Sequence, residues 1–240
     1  MAEMPAKKSE LGVRTLSAIV MLAVAGTALW LGGWWWTVFV LAIAAGVMWE
    51  WSGLVRRFAG RMLALVMWSF AGAAYVGLAA AMLIFLRSDQ FTLWAVATLL
   101  LAVVGTDVGA YFAGRTFGGP KIAPSISPSK TWSGLVGGMV GATLILFIVG
   151  QSQVQQMNEA TNETGFYTHP FLDMPWAGMA VAIVAQAGDF FESWMKRRAG
   201  VKDSGGLIPG HGGLFDRVDG LLATVFALAI LTIFAGLVSP

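Results

Sequence analysis

The chain has 240 residues, 57% of them hydrophobic and only 12% charged, with a formal net charge of +2 and no cysteine. Water-soluble domains carry about 25% charged residues, so this composition excludes a soluble globular domain and points to a polytopic helical membrane protein. Disulfides and thiolate-metal sites are excluded outright; the net charge says little about partners until the charges are placed by loop, and no nucleic-acid partner is expected.

Residues 1–14 are polar and carry Lys7, Lys8 and Arg14; an apolar run follows over 15–31. It reads as a retained first span rather than a signal peptide, because the only cleavage-like stretch, Ala23-Val24-Ala25, falls in the middle of the run. Gly32-Gly33 predict a short turn before a second span over 34–51. Glu50, near its end, is expected to pair with Arg56, Arg57 or Arg61. Residues 62–86 predict one long third span closed by Arg87-Ser88-Asp89, and 91–105 a fourth. That span runs into a polar stretch, TDVGAYFAGRTFGGPKIAPSISPSKTWSG (106–134). A fifth span is predicted over 135–150, then a polar loop over 151–175 without lysine or arginine. A sixth over 175–191 leads into DFFESWMKRRAGVKDSGGLIPGHGGLFDRVD (189–219), and a seventh runs over 220–238.

Placing the 15 basic residues tests this map. With the N-terminus inside and seven spans, every lysine and arginine except Arg87 falls on the inner side, a strong positive-inside asymmetry. Splitting 62–86 in two would reverse every later loop and destroy it. The fold class expected is therefore all-α, with about seven transmembrane spans and a cytoplasmic N-terminus. Residues 1–100 supply N-terminal helices. Residues 101–240 form a catalytic region with cytoplasmic loops at 106–134 and 192–219, in an inner-membrane, multi-pass protein whose site faces the cytoplasm.

The charge in 189–219 is costly beside a membrane. On a helix Asp189, Glu192, Ser193 and Lys196 fall at i, i+3, i+4 and i+7, one polar stripe; Asp216 and Asp219 share a face at the start of the last span. Helix ends that present carboxylates suit Mg²⁺, which takes one or two carboxylates plus substrate phosphates. The plainer alternative pairs Asp189 and Asp216 with Arg197 and Arg217. Lys196, Arg197, Arg198 and Lys202, followed by SGGLIPGHGG, combine phosphate-complementing cations with glycines that let backbone N–H groups approach anionic oxygens. For Lys196-Arg197-Arg198 alone a basic cuff on anionic lipid is the better explanation, but it does not account for the glycines and His211. For His211, phosphate contact ranks ahead of a metal-ligand or turn role, since no second imidazole stands at ligand spacing. Upstream, Asp107, Ala110, Tyr111, Gly114 and Gly118 share a helix face. Asp107 lies within an apolar run, where an ionisable residue suggests function or a pair with Arg115. Ser127-Pro128-Ser129-Lys130-Thr131 sets hydroxyls and Lys130 just before a helix, an anion-binding arrangement.

Together these residues resemble the phosphatidate cytidylyltransferases, the CDP-diacylglycerol synthases. The C-terminal signature of that family is matched at Ser193, Lys196, Arg197, Lys202, Asp203, Pro209, His211, Gly212, Gly213, Asp216, Arg217 and Asp219, with every spacing kept. The pattern at Asp107, Ala110, Tyr111, Gly114 and Gly118 and the element at 127–131 match as well. Ser133 departs from it, standing where the family usually has glutamate, and the chain is shorter than usual at its N-terminal end.

The resemblance implies that CTP and phosphatidic acid give CDP-diacylglycerol and pyrophosphate. It implies a cation centre of Mg²⁺ on Asp189 and Asp216, with Asp219, Asp107 and Lys196 completing the catalytic set; whether a second cation joins it stays open. Ser127, Lys130, Ser193, Arg197, Lys202, Asp203, His211, Gly212, Gly213 and Arg217 would border substrate. Membrane lipids and a homodimeric partner follow by the same likeness. Two other functions compete: a CTP-dependent lipid kinase, with Asp107 or His211 as base, and a transporter of anionic substrates. Against the transporter, the charge gathers on one face rather than at mid-membrane, and no repeat is visible.

Overall fold

The structure, a computed structural model, describes residues 7–88, 93–161, 175–210 and 212–238. Among them are seven helices, α1 (Lys7–Leu31), α2 (Gly33–Phe58), α3 (Met62–Phe85), α4 (Leu93–Phe117), α5 (Trp132–Thr161), α6 (Pro175–Arg198) and α7 (Phe215–Val238), with two short strands, β1 (Lys121–Ala123) and β2 (Ser127–Thr131), between α4 and α5. The all-α membrane class predicted from composition holds, and 62–86 is the single long helix expected. Six helices are long and apolar enough to cross a membrane; α6 is not among them. Its polarity is turned inward: Gln186 and Glu192 are both buried, as intramembrane polar groups must be.

Three local expectations are revised. Residues 151–161 are not loop, because α5 continues to Thr161; residues 162–174 lie outside the described residues, as do Asp89 and His211. The polar stretch 106–134 is helix at both ends with an antiparallel hairpin between, pairing Lys121 with Thr131 and Ala123 with Ser127. Gly118 lies just past the end of α4, at φ 60°, so it ends the helix on which Asp107, Ala110, Tyr111 and Gly114 stand.

The chain divides into two units, Met1–Leu93 with Phe191–Pro240, and Trp94–Phe190, the boundary falling inside α6. In the first, α2 lies against α3 and α3 against α7. Its centre is Trp51, 1% exposed, whose indole N–H donates to the Trp68 carbonyl at 2.9 Å. The Trp51 ring meets those of Trp68, Tyr75, Phe191 and Phe215. Gly72 makes the room, since a Cβ there would run into the Trp51 indole. Arg87 donates to the carbonyls of Leu29 at 2.9 Å and Trp30 at 3.3 Å, satisfying the open C-terminal end of α1.

In the second unit, α4 and α5 approach to backbone contact. A Cβ on Gly109 would strike the Gly137 carbonyl, and one on Gly141 the Gly105 carbonyl. Small residues four apart on each helix let two backbones touch, which drives helix association where lipid removes the hydrophobic gain. Ala102, Leu146 and Ala177 form the apolar centre of this unit.

Candidate active site

The polar residues singled out in the sequence fall into two groups, one in each unit. In the unit formed by Trp94–Phe190, the hairpin delivers Lys130 to Asp189 on α6, and the two form an ion pair. Asp107 on α4 lies within coulombic reach of both. The alternative that Asp107 pairs with Arg115 is not what forms, since Arg115 donates to the Tyr111 hydroxyl at 2.8 Å. Ser127 is buried at the start of β2. Thr131 N-caps α5: its Oγ1 accepts the Gly134 N–H at 3.1 Å, the usual first-turn bond. Ser133, the departure from the family pattern, donates to the Gly118 carbonyl and meets the Thr131 hydroxyl at 3.1 Å. In this chain that position ties the exit of α4 to the entry of α5.

The other group gathers at the first turn of α7. Asp216 accepts at Oδ1 from the Lys196 ammonium at 2.5 Å. Its Oδ2 accepts the Ser204 N–H at 2.9 Å, the Ser204 hydroxyl at 2.9 Å and the Gly213 N–H at 3.0 Å. Lys196 also lies 2.6 Å from Glu192 Oε2, one helical turn back on α6. Glu192 is 0% exposed, and neither of its oxygens has a well-angled hydrogen bond; the Lys196 ammonium is the cation beside it.

The expected pairing of Glu50 with an arginine is corrected. Glu50 is 3% exposed and faces α7, accepting the Leu214 N–H at 3.0 Å, the Phe215 N–H at 2.8 Å and the Ser204 hydroxyl at 3.0 Å. A carboxylate against the open N–H groups of a helix start is satisfied by them and by the helix dipole. The glycines of 204–214 now have a cause. A Cβ on Gly205 would collide with Glu50, and one on Gly213 with Ser204 Oγ. The anions those backbone N–H groups approach are the protein's own carboxylates. Gly210 and Gly212 take φ of 76° and 83° in a turn closed by the Ile208 N–H donating to the Gly212 carbonyl at 3.1 Å.

Arg197, Lys202, Asp203 and Arg217 are exposed around this group, and Ser193 and Asp219 are half-buried. Asp219 Oδ1 accepts the Gly220 N–H at 2.8 Å. Among the described residues no three carboxylate or imidazole side chains gather into a metal cage. The donor set still suits a hard divalent cation. Asp216 and Glu192 converge on one lysine ammonium, and Mg²⁺ asks for one or two protein carboxylates, with substrate phosphates and water completing its shell. Glu50, Glu192 and Ser204 are the residues that motif reading alone left out of the site. Two had a signal: Glu50 as a charge inside an apolar run, and Glu192 as part of the α6 stripe.

A membrane-embedded helical fold that carries carboxylates, exposed cations and a glycine turn together defines a membrane enzyme handling phosphates. The chain belongs to the Cytidylyltransferase family, which matches residues 61–235. It is 35% identical to the phosphatidate cytidylyltransferase of Brucella suis, over 95% of this chain and 94% of that protein. With the enzyme of the same name from Rickettsia bellii it shares 32% identity over 91% and 89%. A shorter stretch, 53% of this chain, is 41% identical to that of Haemophilus influenzae.

Proposed function

We propose that this chain is a phosphatidate cytidylyltransferase of the bacterial inner membrane, joining CTP and phosphatidic acid into CDP-diacylglycerol with release of pyrophosphate. The observation that carries the reading is near full-length similarity to proteins of that name, joined to a signature whose Lys196 and Asp216 meet in space.

In the reaction a phosphate oxygen of the lipid forms a bond to the α-phosphorus of CTP while the bond from that phosphorus to the bridging β-oxygen breaks. A phosphate monoester is already largely ionised at pH 7, its second pKa being about 6, so the protein has no proton to remove. Its task is to neutralise charge and align the reacting groups. The exposed cations Arg197, Lys202 and Arg217 suit the triphosphate, and His211 is assigned there by its place in the signature. Lys130, paired with Asp189, serves at the head-group or nucleotide. The resemblance assigns Asp189 and Asp216 each to Mg²⁺, with Glu192 beside the latter; when bound, the ion would supply Lewis-acid stabilisation of charge on the transferring phosphate. Lys196 keeps Asp216 oriented. The positive-inside distribution of lysine and arginine supports a cytoplasmic side for this chemistry, where CTP is found.

The test is purified protein with CTP, phosphatidic acid and Mg²⁺, followed by pyrophosphate release and by label from cytidine-labelled CTP. Label retained on the lipid supports the transfer. A phosphorylated lipid without CMP would identify a CTP-dependent kinase and overturn the reading.

A further inference from the structure

Glu50 stands on α2, ahead of the residues 61–235 that match the family, yet its carboxylate is built into the α7 end of the site. The cost of a charge in an apolar helix is met on every side. Leu214 and Phe215 donate backbone N–H groups at 3.0 and 2.8 Å, and Gly205 leaves the space that a side chain would fill. A helix anchor needs no more than this. Glu50 does one thing more: Ser204 Oγ lies 3.0 Å from Glu50 Oε2 and 2.9 Å from Asp216 Oδ2. A hydroxyl has a single proton, so at any moment it donates to one carboxylate and turns a lone pair toward the other. Both carboxylates tolerate this because backbone N–H groups already cover them: Ser204 and Gly213 for Asp216, Phe215 for Glu50. Ser204 is therefore a movable donor held between two fixed acceptors.

We propose that Glu50 is a positioning residue for the transfer reaction, acting through the Ser204 hydroxyl and the N-terminus of α7 to set where the Asp216 carboxylate stands. When Asp216 engages a cation or a substrate group, Glu50 is the acceptor to which the Ser204 hydroxyl turns its hydrogen bond, leaving Asp216 Oδ2 with its two backbone donors. The inference rests on the reading of Asp216 as part of the active site.

The test compares wild type, Glu50→Gln, Ser204→Ala, their double variant and Asp216→Asn, each purified in detergent, for kcat, KM for both substrates and Tm. Glu50→Gln keeps the shape but removes one acceptor oxygen. It is expected to lower kcat about 10- to 100-fold, the scale of a small misplacement of a reacting group, with KM for phosphatidic acid within about threefold. Ser204→Ala should lower kcat similarly, and the double variant should be no worse than the more damaged single within about twofold, since both act through one carboxylate. Independent losses that multiply, or a Glu50→Gln kcat within twofold of wild type, would overturn the proposal. If Glu50→Gln does not yield folded protein by Tm, Ser204→Ala decides, because it leaves both backbone donors to Glu50 in place; unchanged kcat there overturns it. An Asp216→Asn protein with normal turnover would sink the active-site reading itself. An inactive Asp216→Asn beside an unimpaired Glu50→Gln would sink only the role of Glu50.

Discussion

Lys196 Nζ stands 2.5 Å from Asp216 Oδ1, joining the end of α6 to the start of α7. The ammonium is shared with Glu192 at 2.6 Å, so one cation reaches both acidic side chains. Removing either partner of such a buried pair leaves an uncompensated charge.

Asp216→Asn should therefore reduce CDP-diacylglycerol formation by about 100-fold or more, the scale of losing one preorganised electrostatic contact. Membrane insertion should survive, because the apolar helices that drive it are untouched. Radiolabelled product measured per unit of folded protein checks this, and near-normal Mg²⁺-dependent turnover would count against the assignment.

Lys130 and Asp189 form the ion pair of the other unit. Asp189→Asn should lower turnover by about 100-fold or more, and adding Lys130→Met should cost less than it does in the wild-type background, since contacting residues couple by about 0.5–3 kcal/mol. A double-mutant cycle on kcat/KM measures the coupling; additive losses would mean that the pair does not act as a unit.

Gly213 and Gly206 offer a paired control. A Cβ on Gly213 would run into Ser204 Oγ and stand 2.7 Å from Asp216 Oδ2, whereas one on Gly206 meets nothing. Gly213→Ala should lower stability by about 1–3 kcal/mol, as overpacking does, and reduce activity with it. Gly206→Ala should leave Tm and turnover essentially unchanged. Thermal unfolding in detergent together with the pyrophosphate assay distinguishes the two.

The topology can be tested directly because the chain has no cysteine. With seven crossings and the N-terminus inside, Thr168→Cys should react with an impermeant thiol reagent from the periplasmic side, and Gly206→Cys only after the cytoplasmic side is opened. Labelling of both cysteines from the same side would show that α6 does not cross, a point of substance since α6 is absent from the six helices apolar enough to do so by composition.

The membrane class, the helices and the signature residues could be read directly from the chain, because apolar runs, the one-sided placement of lysine and arginine, and motif spacing are properties along one dimension. Helix ends were less legible: α5 runs on through polar residues to Thr161, since a started helix propagates wherever no breaker stops it. The glycines of 204–214 announced a close approach of backbone to anion without saying which anion. That the anions include Glu50, which accepts a hydrogen bond from Phe215 across 165 residues, and Asp216, which meets Lys196 across 20, was decided only by tertiary structure. A carboxylate bonded to distant backbone N–H groups leaves no period, composition or spacing in the sequence. Its partners become neighbours only when α2, α6 and α7 have packed.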